Sequence, residues 1–466
     1  MSGLRSFAPT ILVAALGTTF GSALVIAPGI VTEALATTGF GDLGAIRAIL
    51  SVLGWLFLAI ALYVGAVVTA NTCATIIAGQ TRILALQRLI GATGASLRAR
   101  ITRTGLLVGV VGAAIGVVVG TGLSALFVVA LRGNGFLPDT TYTLVPVELV
   151  LPAVAVVLAT WGAFAAGSRR VLRVTPLQAL SEDVEPTHED VRSGKARTVW
   201  AIVLVAAGVL LMLVGLAFSP VSPSAVLPAA LGGFVSFAGI SVGAAVVMPP
   251  VLQLIGRIGS SDPVVLLAGR NAMRAPARSS RATIGLVIGV TLLVTFAVAF
   301  GIMEQVLTQQ LVAMDDGSMT PAMLDAQRGF FAQVNAVVDV VVGFSAVIAA
   351  VGVVNALALS VMQRRRELGL LRVLGLTGAQ VRRMIVTEAV QMVTAAVVTG
   401  LVLGTCYGWV GGQTMLGSIG RVVTPVLPLG TVGAVVLGAL VLAVVATVAP
   451  VRRAVRVSPT QALAVD

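Results

Sequence analysis

The chain is built from about ten separate apolar runs, each near or above the roughly 20 residues that an α-helix needs to cross a bilayer's hydrocarbon core. They lie near residues 8–29, 46–72, 105–131, 147–167, 199–218, 226–255, 282–303, 333–362, 387–414 and 428–450. A soluble fold cannot hide that much apolar surface. The sequence is 58% hydrophobic and only 10% charged, against roughly 25% charged in soluble domains. The expected fold class is therefore an all-α integral membrane protein of about ten transmembrane helices. The 52 glycines suit helices that approach closely in lipid. The first apolar run starts near Ala8 and continues without a small-residue cleavage site before a polar domain, so it reads as the first span rather than a removed signal.

A net charge of +12 would suit nucleic acid if the basic residues interleaved with aromatic ones, but they fall in short clusters between apolar runs. The positive-inside rule explains them better than phosphate binding. With the N-terminus in the cytoplasm, only Arg47, Arg132, Arg328 and Arg421 face outward, and every other basic residue falls on the inner side. Both termini then come out cytoplasmic, as an even number of spans requires. No nucleic-acid partner is expected, and membrane lipid is the surrounding medium.

Self-similarity divides the chain further. Residues 71–91 read NTCATIIAGQTRILALQRLIG, and residues 355–375 read NALALSVMQRRRELGLLRVLG. Asn71 aligns with Asn355, Arg82 with Arg366, Arg88 with Arg372, Gly91 with Gly375 and Gly94 with Gly378. A second pair, RRVLRVTPLQAL at 169–180 and RRAVRVSPTQAL at 452–463, repeats at almost the same offset. The chain reads as a duplicated four-span unit with a central helix pair between the copies. The expected segments are a first unit at 1–180, a cytoplasmic linker at 181–198, a two-span connector at 199–257 and a second unit at 258–466. Equivalent spans are an even number apart, so the copies are parallel and pseudo-symmetric about an axis along the membrane normal. Two apolar stretches, about 45–78 and 321–362, exceed one crossing. At 1.5 Å per residue they would reach roughly 50–60 Å, either as a short outward stalk or as a kinked helix plus loop.

Several chemistries lack residues. Cys73 and Cys406 sit in or beside apolar runs with no metal-ligand spacing, and His188 lies in a polar acidic stretch, so no metal site is expected. The single lysine follows Gly194, but Glu189 stands where a P-loop needs its first glycine and Ala196 where it needs Ser or Thr. No Ser/His/Asp set, recognisable carboxylate pair or Gly-rich dinucleotide loop is present. The chain is not read as an enzyme, and any ATP must be hydrolysed by a partner.

The stretch 355–388 is ordered as Asn355, then Arg366-Glu367-Leu368-Gly369, Arg372, Gly375 and Glu388, directly after a long span, with the basic flank LAGRNAMRAPARSSRATI at 267–284. This pattern resembles the FtsX-like permease family. Through the duplication the resemblance extends over about residues 1–180 and 264–466. It implies the membrane-spanning subunit of an ABC transporter, with ATP and Mg held by a separate ATPase that touches the cytoplasmic segment after the long span. The residues expected to couple to it are Arg364, Arg365, Arg366, Glu367, Gly369, Arg372 and Gly375, and Arg82, Arg88 and Gly91 in the first copy. The physical reading is a helix from about Arg364 to Arg383 along the cytoplasmic surface, with Leu368, Leu371 and Ile385 packed inward. The first copy replaces Glu367 by Ile83, Glu388 by Thr104 and Gly369 by Ala85, so it is expected to dock but to transmit less. Two acids near the membrane, Glu304 and Asp339, are candidates for a substrate path or for pairing with Arg328 or Arg421.

One chain already contains both halves, so one copy is expected with two copies of the ATPase subunit in a bacterial cell membrane. The family resemblance implies export or extraction of lipophilic cargo, such as an antimicrobial peptide, drug or lipid, and with it efflux and antimicrobial resistance. Relatives that export lipoproteins or macrolides carry a large external domain. Here the largest external segment, about 304–333, is short. The alternative is a signalling protein that activates a cell-wall hydrolase outside. An ion-coupled transporter would need midplane charge pairs and broken helices that the sequence lacks.

Overall fold

The computed structural model describes residues 7–36, 86–133, 137–173, 195–257, 276–314 and 375–416, together with scattered positions between 55 and 70 and between 424 and 441, and Gly135, Leu370 and Val373. Seven long helices account for almost all of it: α1 (Ala8–Ala36), α2 (Gly94–Gly133), α3 (Val150–Arg173), α4 (Lys195–Phe218), α5 (Val226–Arg257), α6 (Pro276–Met314) and α7 (Gly378–Leu416). There are no strands among the described residues. All seven are long and apolar enough to cross a membrane, and the chain is an all-α, multi-pass membrane protein. They correspond to the expected spans near 8–29, 105–131, 147–167, 199–218, 226–255, 282–303 and 387–414. The spans expected near 46–72, 333–362 and 428–450, and the proposed outward stalk, lie outside the described residues except for isolated positions.

The chain divides into two compact units, one of residues 1–184 and 304–348, the other of 185–303 and 349–466. In the first, α2 is central because glycines line two of its faces. Gly112 meets Ala14, Gly116 meets Thr18 and Gly120 meets Ser22. Both numbers rise together, so α1 and α2 run parallel. On another face Gly105 meets Phe164 and Gly109 meets Thr160, and the falling numbers make α3 antiparallel to α2. A Cβ on Gly112 would stand 2.5 Å from the Ala14 Cβ, so only glycine permits this approach. Without a hydrophobic force between helices in lipid, backbone proximity of this kind is what holds them together. Thr19 adds a cross-helix bond, its Oγ1 donating to the Gly116 carbonyl at 3.1 Å.

The second unit repeats the parallel pair. Gly400, Gly404, Gly408 and Gly412 of α7 meet Val290, Val294, Val298 and Ile302 of α6 in rising order. Gly116 and Gly120 of the first copy align with Gly400 and Gly404 of the second, so the duplication read from loop motifs extends to the packing of the spans. The α4–α5 hairpin closes through a short 3-10 turn at Pro223–Ala225. It is antiparallel: Gly208 meets Ser236, Gly215 meets Ala229 and Gly239 meets Val205. It joins α7 through Ser236, whose hydroxyl lies 2.8 Å from the Tyr407 hydroxyl, and through Phe237, whose ring meets the Tyr407 ring edge-on at 6.4 Å.

Candidate coupling hairpins

Immediately before α2 the chain makes a helix stop and restart. A helical turn over residues 86–89 ends at Gly91, whose φ of +101° lies in the left-handed region. The Ala92 amide donates to the Gln87 carbonyl at 3.0 Å and the Gly91 amide to the Arg88 carbonyl at 3.1 Å. That is a Schellman C-cap, with glycine at the position that no L side chain occupies comfortably. Two residues on, Thr93 caps the next helix: the Ser96 amide donates to Thr93 Oγ1 at 3.3 Å, and the Ser96 hydroxyl to the Thr93 carbonyl at 2.8 Å.

The second copy has the same left-handed glycine and threonine cap at the aligned positions. Gly375 has φ +102°. Thr377 caps α7 with a reciprocal capping box, in which the Gln380 amide donates to Thr377 Oγ1 at 3.3 Å and Gln380 Oε1 accepts from the Thr377 amide at 2.8 Å. A single helix from Arg364 to Arg383 is therefore not what forms. The left-handed glycine and the threonine cap end one helical segment and start another, and Arg382 and Arg383 belong to the first turns of α7. Ile385 is buried as expected.

Each hairpin carries apolar side chains that are left in the open. Leu86 and Leu89 are 46% and 51% exposed, and their counterparts Leu370 and Val373 are 49% and 55% exposed. Ile90, at the tip of the first hairpin, is also exposed. The helices that follow begin with exposed arginines: Arg98, Arg100 and Arg103 on α2 and Arg382 and Arg383 on α7. Neither helix has an acid in its first turn. At these helix starts the arginine charge and the positive end of the helix dipole have the same sign, so the exposed apolar residues, the knob of each hairpin, are followed along the chain by a basic helix start. The sequence reading took the arginines and glycines from the repeat but missed these apolar residues. Their signal was available, as leucine and valine between arginines beyond the end of a span.

Of the other expected coupling residues, Arg88 is partly exposed on the first hairpin. Arg82, Arg364, Arg365, Arg366, Glu367, Gly369 and Arg372 lie outside the described residues. Glu388 lies nearly three turns into α7 and is only 3% exposed. Its counterpart Thr104 bonds back to its own helix, Oγ1 to the Arg100 carbonyl at 2.9 Å. The two copies thus differ by a buried carboxyl close to the hairpin. Of the two substrate-path candidates, Glu304 is an exposed residue of α6, and Asp339 lies outside the described residues.

At the opposite end of the first unit, the α2–α3 connection folds over α1. Leu137 and Leu149 pack on Ile26, Ile30, Ala34 and Val128. The Thr143 amide donates to Glu33 Oε2 at 2.9 Å. Arg132, one of the few basic residues expected on this side, pairs with Asp139 at 3.2 Å and stacks over the Tyr142 ring at 5.7 Å. Burial pushes the Tyr142 phenol above its ordinary value, against the opposing pull of Arg132, so the hydroxyl keeps its proton and donates to the Pro138 carbonyl at 3.0 Å.

The sequence pattern of the family described as FtsX-like permease C-terminal matches the chain twice, over residues 55–176 and 340–459. Each match contains one of the two left-handed glycines and the capped helix that follows it, α2 or α7. No curated protein matches the chain.

Proposed function

Because the chain belongs to the FtsX-like permease family, a family of ABC transporter permease-type membrane proteins, we propose that it is the non-catalytic subunit through which a separate ATPase acts on the bilayer. The observation that carries this reading is the pair of matched hairpins. The two positions that align with each other present the same left-handed glycine, the same threonine-capped helix start and the same exposed apolar pair. A two-fold pair of ATPase subunits needs two similar docking surfaces.

In this reading both hairpins face the cytoplasm of a bacterial cell, the orientation that the charge bias favours. Each ATPase takes one knob in a surface groove. Each hairpin runs into a long helix, α2 or α7, without a flexible joint, because the capping threonine fixes the angle of departure. Closure of the ATPases on ATP and Mg therefore moves those helices as levers. The cargo is a lipophilic molecule that enters from the bilayer, such as an antimicrobial peptide, drug or lipid, and the direction is export or extraction. The buried Glu388 of the second copy, against Thr104 in the first, makes the second hairpin the stronger transmitter.

The test is ATP hydrolysis by the co-purified complex in lipid nanodiscs. Replacing both Glu367 and Arg372 by Ala is expected to lower the rate several-fold while the ATPase stays bound. An unchanged rate in that variant would remove the coupling role from this segment.

A further inference from the structure

The two copies use one register position differently. In the first copy Thr19 abuts Gly116, and its hydroxyl makes the cross-helix bond to the Gly116 carbonyl at 3.1 Å. Thr291 is its counterpart. The glycines that meet Thr18 and Ser22 on α1 align with the glycines that meet Val290 and Val294 on α6, so Thr291 follows Val290 as Thr19 follows Thr18. The backbones are equally close: a Cβ on Gly116 would stand 3.0 Å from the Thr19 nitrogen, and one on Gly400 would stand 3.2 Å from the Thr291 nitrogen. Yet the buried Thr291 hydroxyl has no hydrogen-bond partner.

That leaves a polar group unsatisfied inside a membrane helix. A helical threonine ordinarily bonds the carbonyl one turn back when nothing else is offered. Thr18, Thr160, Thr295 and Thr399 all do so. Thr291 does neither, although the Gly400 backbone is beside it and no water can substitute in hydrocarbon. Thr10, Ser22 and Thr69 are also buried without a partner, but for none of them does the aligned position of the other copy show the cross-helix bond that is missing, as Thr19 does for Thr291.

We propose that Thr291 is the donor of an interhelical clasp that is open in this state and closes on the Gly400 carbonyl when α6 and α7 shift against each other, while the Thr19–Gly116 clasp of the first copy stays made. The movement is small, because the glycine ladder already holds the two backbones in register. The clasp biases the second copy toward the state in which it closes. It rests on the reading that a bound ATPase drives these helices.

The test is thermal unfolding of the full complex in nanodiscs. It is followed by maleimide-dye labelling resolved on a gel, so that only the permease band is read, without nucleotide and after trapping with ATP and vanadate. In the wild type, trapping is expected to raise the permease midpoint. Thr291→Val is expected to leave the nucleotide-free midpoint unchanged or raise it, since the hydroxyl is unsatisfied there, and to remove most of the rise on trapping, and Thr291→Ser to keep that rise. Thr19→Val is expected to lower the nucleotide-free midpoint by about 2–4 °C, the size of one lost hydrogen bond. A Thr291→Val variant that lowers the nucleotide-free midpoint as Thr19→Val does, or that keeps the full rise, overturns the clasp. No rise in the wild type overturns the ATP-driven reading, and the clasp with it.

Discussion

At Gly91 and Gly375 the backbone takes φ of +101° and +102°, and each turn depends on that choice. Neither glycine has an atom near where a Cβ would stand, so an alanine there would meet no clash, only the backbone cost of a left-handed conformation, about 1–2 kcal/mol. Gly91→Ala and Gly375→Ala are expected to leave the membrane helices folded and to reorient the knob. The checkable outcome is a fall of roughly tenfold in affinity for the ATPase, read by titrating the subunit onto nanodisc-held permease, with the unfolding midpoint within a few degrees of wild type. These glycines were legible because the repeat aligned them and because glycine after a helical segment is a C-cap signal. The apolar knob residues left only the weaker signal of leucine and valine between arginines, because hydropathy alone cannot tell a leucine left in the open from one that ends a span. Glu388 was legible as a motif residue but not as a buried one. Burial depends on what α7 packs against, and charge patterning carries no information about that.

Among the helices, length and apolar composition announced the spans, while their ends were less visible. The described α2 and α7 begin 11 and 9 residues before the apolar windows expected for them. The helix continues through Arg98, Arg100 and Arg103, or Arg382 and Arg383, since backbone hydrogen bonding does not stop where hydropathy does. The parallel partners were not legible either. A glycine every fourth residue says that some backbone comes close, but not that α1 meets α2 or that α6 meets α7. The ladder makes a contrast that can be measured. A Cβ on Gly404 would stand 2.6 Å from the Val294 Cβ, whereas Gly122, also within a span, has nothing within 4 Å. Gly404→Leu is expected to separate α6 from α7 and lower the unfolding midpoint by roughly 5 °C or more, in line with overpacking costs of about 1–3 kcal/mol. Gly122→Leu is expected to change it by less than about 1 °C. Equal effects would mean that the ladder does not hold the pair.

For the whole molecule, one duplication explains the two hairpins, the two parallel helix pairs and the two family matches. The copies have diverged in chemistry while keeping the frame. The first pairs Thr18, Thr19 and Ser22 with its glycines, where the second has Val290, Thr291 and Val294. The central α4–α5 hairpin, which has no counterpart in the repeat, is fastened to the second copy through Ser236 and Tyr407. Position 123, which aligns with Tyr407, is a leucine, so the first copy offers no such hydroxyl. A chain that holds both halves is expected to assemble as one permease with two ATPase subunits. Native mass spectrometry of the complex should give a mass of one 47.2 kDa chain plus two ATPases, and a mass containing two permease chains would contradict that stoichiometry. If the two hairpins are the ATPase docking surfaces, putting charge on their apolar knobs releases the ATPase, and its retention by the purified permease reads this out. Leu86→Glu or Leu370→Glu alone is expected to cut the co-purifying ATPase several-fold, and the two together to abolish it, with the permease still eluting as a single folded species. A double variant that retains the wild-type amount of ATPase would contradict the account.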